Sequence, residues 1–201
     1  MTMRVAVAAS GGGSNLEALL RTLGPTAPAR VAVVLSNRED AGALARAKAH
    51  GIPTHVLRRP DDATEWLEQL ERHEIELLVL AGYLKLVPAG VIARFRGRII
   101  NIHPALLPRF GGKGMYGHRV HEAVLASGVA ESGATVHLVD EAYDRGAVLA
   151  QARVPVLPGD DPERLAVRVL EAEHRLLPAV VLAAAAAGRP VPLRDTVASH
   201  P

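Results

Sequence analysis

Three stretches of this 201-residue chain hold residues whose types and spacing suit chemistry. Asn101-Ile102-His103-Pro104 sets an amide and an imidazole two residues apart, so on a strand both side chains leave the same side. An Asn amide can donate to a developing oxyanion, and a His can transfer a proton near neutral pH. The same pattern also suits a histidine hydrogen-bonded in a tight turn before proline. Val139-Asp140-Glu141-Ala142-Tyr143-Asp144-Arg145-Gly146 supplies three carboxylates. A carboxylate beside an imidazole raises its pKa and fixes its tautomer. Spacing alone leaves open which of Asp140, Glu141 and Asp144 reaches His103, or whether all three are solvated.

Ser10-Gly11-Gly12-Gly13-Ser14-Asn15 is a glycine-rich loop between a strand pattern and a helix pattern. Backbone N–H groups and the positive end of a helix suit a phosphate there. No Gly-Lys-Ser/Thr follows, which excludes a P-loop. Leu16 stands where a dinucleotide fingerprint has its third glycine, and no acidic residue ends the second strand. A mononucleotide-like phosphate is therefore favoured over NAD; the bland alternative is a turn in which Ser14 or Asn15 merely caps the helix. His118 and His121 share a helix face at i, i+3, but no third ligand stands at a telling spacing, so no metal site is expected.

These residues need a scaffold, and the apolar patterning supplies one. Short apolar runs at 4–9, 31–35, 53–57, 77–81 and 98–102 alternate with helical patterns at 14–23, 41–50, 61–72 and 88–95. That alternation is the mark of βαβ units and a parallel sheet. The run at 77–81 is wholly apolar and should be central. Residues 104–118 form a Pro- and Gly-rich loop too long for a simple connector. A helix at 118–127 follows, then strands at 134–139 and 148–156 as an antiparallel pair. A long helix starts with Asp161 as N-cap and Pro162 at its first position. Pro178 is expected to kink or end it. The fold class is thus α/β: a Rossmann-like, mostly parallel twisted sheet with helices on both faces and an antiparallel strand in the C-terminal half. One domain over 1–201 is expected, with a phosphate-binding half at 1–100 and a catalytic half at 101–190.

Composition narrows the function classes. Hydrophobic residues are 49% and charged residues 22%, as in an ordinary globular domain. Net charge is +2 with the basic residues scattered, which gives no nucleic-acid footprint. There is no cysteine, so disulfides and thiolate metal sites are out. The N-terminus lacks the long apolar stretch of a signal peptide, and residues 179–187, the most apolar run, are too short to span a bilayer. A cytoplasmic protein acting as monomer or homodimer, with no membrane partner, is expected.

Taken together, Ser10–Leu16, Ser36-Asn37, Leu80-Ala81-Gly82-Tyr83-Leu84, the NIHPALLP run at 101–108, the GATVHLV run at 133–139, the acidic turn ending at Asp144 and Val154-Pro155-Val156 resemble one family. It is the glycinamide ribonucleotide (phosphoribosylglycinamide) formyltransferases, and the resemblance covers about residues 4–190. It implies formyl transfer from 10-formyltetrahydrofolate, a consumed cosubstrate, to the amine of glycinamide ribonucleotide in purine biosynthesis. It also implies a catalytic trio of Asn101, His103 and Asp144. The substrate would be held by Gly12, Gly13, Ser14, Asn15 and, at the ribose, Glu173. The folate would be held by Leu84, Lys85, Leu86 and Val87, with Asn101 also touching the formyl group.

In this reading Asp144 raises the His103 pKa, keeping the ring cationic as oxyanion charge develops. Asp62-Ala63-Thr64 stands where many members carry an Arg near the ligands, so Arg58 or Arg59 must take that role or it goes unfilled. Lys85 stands where some members have Arg, and the loop at 109–117 is longer than in short-loop members. A methionyl-tRNA formyltransferase would carry an added C-terminal RNA-binding domain, and a formyltetrahydrofolate deformylase usually an extra N-terminal one. Neither is expected here. A deformylase or a non-catalytic nucleotide-binding module are the alternatives.

Overall fold

The computed structural model describes residues 2–193. Thirteen elements alternate much as the patterning predicts: β1 (Met3–Ala8), α1 (Ser14–Thr22), β2 (Ala29–Ser36), α2 (Gly42–Ala49), β3 (Thr54–Val56), α3 (Ala63–Arg72), β4 (Leu77–Leu80), α4 (Ala89–Arg94), β5 (Ile99–His103), α5 (His118–Ala126), β6 (Glu131–Leu138), β7 (Val148–Pro155) and α6 (Pro162–Ala187). They build a seven-stranded sheet in the order β3-β2-β1-β4-β5-β6-β7. The pairs from β3 to β5 are parallel. β6 is antiparallel to both β5 and β7, so it alone runs against the other six strands. β4 is fully buried and occupies the middle of the sheet, as its unbroken apolar run requires.

The sheet buries an apolar layer on each face. One layer joins β1, β4, β6 and β7 to α1, α2 and α6 through residues such as Leu16, Leu44, Val136 and Leu176. The other packs Trp66 and Leu70 of α3 and Val91 of α4 on the opposite face. Trp66 is wholly buried, meets Tyr83 edge-on at 5.2 Å, and donates its indole N–H to the Pro60 carbonyl. The ring is thus packed and its one donor satisfied.

Most boundaries shift by one or two residues, and two larger differences from the sequence reading have a cause in the packing. β6 begins at Glu131, three residues early, because Gly133 passes so close to Ala152 of β7 that a Cβ would meet its carbonyl oxygen. Only glycine permits that approach. Pro178 does not end α6, which runs on to Ala187 and closes on Gly188 in the left-handed conformation. An interior proline removes one helix hydrogen bond and costs about 3 kcal/mol. Here Leu176, Leu177, Val180, Val181 and Ala184 are all fully buried around it, and that packing outweighs the local penalty. At the other end the Asp161 carboxylate accepts from the Arg164 N–H, the N-cap the sequence announces.

Candidate active site

Strand order reverses between β1 and β4: β1 leads outward to β2 and β3, while β4 leads the other way to β5. Ligands of open α/β sheets bind beyond the strand carboxyl ends at such a point. Three loops leave the sheet there: residues 9–13 after β1, 81–88 after β4 and 104–117 after β5. They enclose a cavity of about 750 Å³. Gly12 to Asn15, Leu84 to Val87, Asn101, His103, Asp144 and Glu173 all line it. Arg58 and Arg59 do not line it. Their N–H groups donate to Glu65, and the Arg59 guanidinium pairs with Asp62 at 3.1 Å.

Asn101 and His103 reach the cavity from the last residues of β5, where Asn101 is paired with His137 and His103 with Thr135 on β6. His103 is 3% exposed. Its Nε2 lies 2.8 Å from the Phe110 carbonyl, an acceptor, so that nitrogen carries the proton. The Nδ1 edge faces Asp144 Oδ2 at 3.7 Å. Asp144 is therefore the carboxylate beside His103. Asp140 instead caps its own turn through the Ala142 N–H, and Glu141 is exposed. Asp144 holds a left-handed backbone (φ 54), unusual for a residue with a side chain. Its Oδ2 accepts from the Gly112 N–H at 2.9 Å, which ties the acidic turn to the long loop after β5.

The sequence reading missed His137. Its Nδ1 donates to the Leu138 carbonyl at 2.8 Å, which leaves Nε2 to accept from Asn101 Nδ2 at 3.1 Å. The same Nε2 lies 3.5 Å from Asp144 Oδ1. Asp144 thus sits between two imidazoles, and Asn101 is held with one N–H committed and the other free to donate. The signal lay inside the GATVHLV run, but only the antiparallel register of β6 on β5 brings His137 opposite Asn101.

The electrostatics correct one expectation. Burial lowers the His103 pKa, and this outweighs the upward pull of Asp144 and of the Phe110 carbonyl. Burial thus favours the neutral ring over the cationic one in the unliganded protein. At Asp144 burial works upward, but His137, the Gly112 N–H and His103 together hold the carboxyl below its usual range. His121, 5% exposed on the cavity wall, is pushed down to about 4 by burial and then by His118 and His103, and its Nδ1 has no partner among the described residues. His118, on the same helix face, instead pairs with Glu163 at 2.9 Å.

The glycine-rich loop ends at α1 with Gly13 as N-cap, left-handed at φ 78, and neither Ser14 nor Asn15 caps the helix with its side chain. Asn15 instead donates Nδ2 to Glu173 Oε2 at 2.7 Å, while its buried Oδ1 has no partner among the described residues. Glu173 is 6% exposed on α6, and burial raises its pKa to about 7 against the hydrogen bond from Asn15. Leu84 and Leu86 are about half exposed at the cavity mouth. Backbone donors and buried polar groups thus gather on one flank, and apolar side chains on another.

The family model described as formyl transferase matches residues 3–181. The chain belongs to the formyl transferase family. Within that family it groups with the phosphoribosylglycinamide formyltransferases. The Haemophilus influenzae protein of that name is 38% identical over 188 residues, covering 89% of this chain and 85% of that protein. The chloroplastic phosphoribosylglycinamide formyltransferase of Arabidopsis thaliana is 44% identical over 186 residues, covering 89% of this chain and 64% of the relative. The crystal structure of phosphoribosylglycinamide formyltransferase from Brucella melitensis superposes with a TM-score of 0.83 at 46% identity, over 92% of this chain and 97% of that one. The chain spans less than two thirds of the length of the chloroplastic relatives it matches.

Proposed function

We propose that this formyl transferase moves the formyl group of 10-formyltetrahydrofolate to the amine of N1-(5-phospho-D-ribosyl)glycinamide, giving the formylated ribonucleotide and tetrahydrofolate. The observation that carries the reading is the convergence of Asn101, His103 and Asp144 on one cavity that also holds a loop of free backbone donors and an apolar flank. The phosphate takes the N–H groups of Gly12 to Asn15 at the start of α1. The ribose hydroxyls meet Glu173, and the folate ring lies along Leu84 to Val87.

The amine nitrogen attacks the formyl carbon, and the carbonyl oxygen becomes an oxyanion. The free N–H of Asn101 donates to it. His103 joins once its Nε2–H leaves the Phe110 carbonyl, and the forming negative charge itself raises the proton affinity of the ring. Collapse breaks the bond to the folate nitrogen, which takes up the proton the amine loses; Asp144 is placed to relay it through a water. No covalent enzyme intermediate is required.

The test is product analysis with 10-formyltetrahydrofolate in the presence and absence of the ribonucleotide. Turnover that requires the amine and yields the formylated ribonucleotide is the expected result. Formate release from the donor alone would instead mean a deformylase, and ligand binding without either product a nucleotide-binding module.

A further inference from the structure

The glycine-rich loop is held from behind by α2. Gly42 packs on the Gly12 backbone, and the space beside Gly13 is filled by Ala43. Two loop carbonyls are bonded to the same helix. Gly11 O accepts from the Ala43 N–H at 3.1 Å, and Gly12 O accepts from Arg46 Nε–H at 2.8 Å. In a planar trans peptide the C=O and the next N–H point in opposite directions. With both carbonyls turned toward α2, the N–H groups of Gly12 and Gly13 face away from it. Neither donates to any group among the described residues, and both residues line the cavity. Arg46 also reaches Glu17 of α1 at 3.3 Å, but its side chain is 44% exposed, and such exposed pairs add little stability.

We propose that Arg46 is a positioning residue for phosphate recognition: by holding the Gly12 carbonyl on the α2 side, it aims the Gly13 N–H at the phosphate of the substrate. This rests on the reading of the loop as the phosphate site. The guanidinium also contributes positive potential behind the loop, which favours a dianion in front of it.

Steady-state kinetics on Arg46→Ala and Arg46→Lys test the assignment, with inorganic phosphate as a competitive probe. Arg46→Ala should raise KM for the ribonucleotide and weaken phosphate inhibition in parallel, each by roughly ten- to a hundredfold, as expected for one hydrogen bond to a charged group. KM for the folate donor is the internal control and should hold, so the loss falls on one substrate rather than on kcat. Arg46→Lys, which keeps the charge and a donor, should recover much of it. If Arg46→Ala does not fold, Arg46→Gln carries the same readouts. Amide NMR with the ribonucleotide separates the two levels of the argument. Shifts at Gly12 to Asn15 together with an unchanged ribonucleotide KM in the Arg46 variants would overturn the positioning role alone. Unmoved amides would overturn the loop reading as well. Equal losses on both substrates with a lower unfolding midpoint would make Arg46 structural and overturn the proposal.

Discussion

Glu173 is a carboxyl whose neighbours are an amide and the inside of a protein. Burial raises its pKa to about 7 from an ordinary 4.5 despite the hydrogen bond from Asn15, so the folded state holds this proton more tightly than the unfolded chain does. The sign follows from linkage: the Glu173 contribution to stability falls as pH rises from about 4.5 to about 7, then levels off. His103 and Asp144, both shifted down, give contributions of opposite slope that are lost as pH falls. A comparison with Glu173→Gln isolates the first effect, because the other groups are common to both proteins. The variant should gain on the parent by roughly 1–3 kcal/mol between pH 5 and pH 8 in urea unfolding. A pH-independent difference would mean that folding leaves the Glu173 pKa at its unfolded value. His103 carries the same lesson in reverse. The sequence shows a carboxylate that could lift its pKa, but not the depth of burial, and burial wins.

At the scale of elements, the glycine-rich loop separates two reasons for being glycine. Gly13 is left-handed, and a Cβ there would lie 2.6 Å from Ala43 Cα of α2; at Gly12 a Cβ would meet nothing within 4 Å. Gly13→Ala should therefore cost about 2 kcal/mol or more from backbone strain and overlap, and Gly12→Ala less than about 1. Equal costs in denaturant unfolding would contradict this account of the loop. Gly13 is thus required by its packing on α2 and its left-handed φ, not only by the approach of a ligand in front of it. The strands of the first hundred residues were legible because a buried parallel strand is an apolar run between turn residues. The start of β6 was not, since Gly133 reads as a turn until its close approach to Ala152 is known. Whether α6 would pass Pro178 or end there was left open by the sequence, because the local penalty is opposed by burial that only the tertiary fold creates.

For the whole molecule, the reversal of strand order between β1 and β4 sets the loops after β1, β4 and β5 around one cavity. Gly12 to Asn15, Leu84 to Val87, Asn101, His103, Asp144 and Glu173 all line that cavity, whereas Glu141, Arg58 and Arg59 do not. His137 was illegible as a functional residue for a topological reason: β6 enters antiparallel, and its register on β5 is a long-range fact. On the proposed function, the cluster around Asp144 performs the transfer while other groups hold the ligands. Single-turnover transfer from a formyl-labelled donor, with Asp144→Asn beside the parent and both ligand affinities measured by calorimetry, tests it most directly. The expected result is label in the ribonucleotide with the parent, transfer slowed by about 100-fold or more in the variant, and both affinities within a few fold. Transfer at near the parental rate in Asp144→Asn, or a loss explained by weaker binding of either ligand, would contradict it.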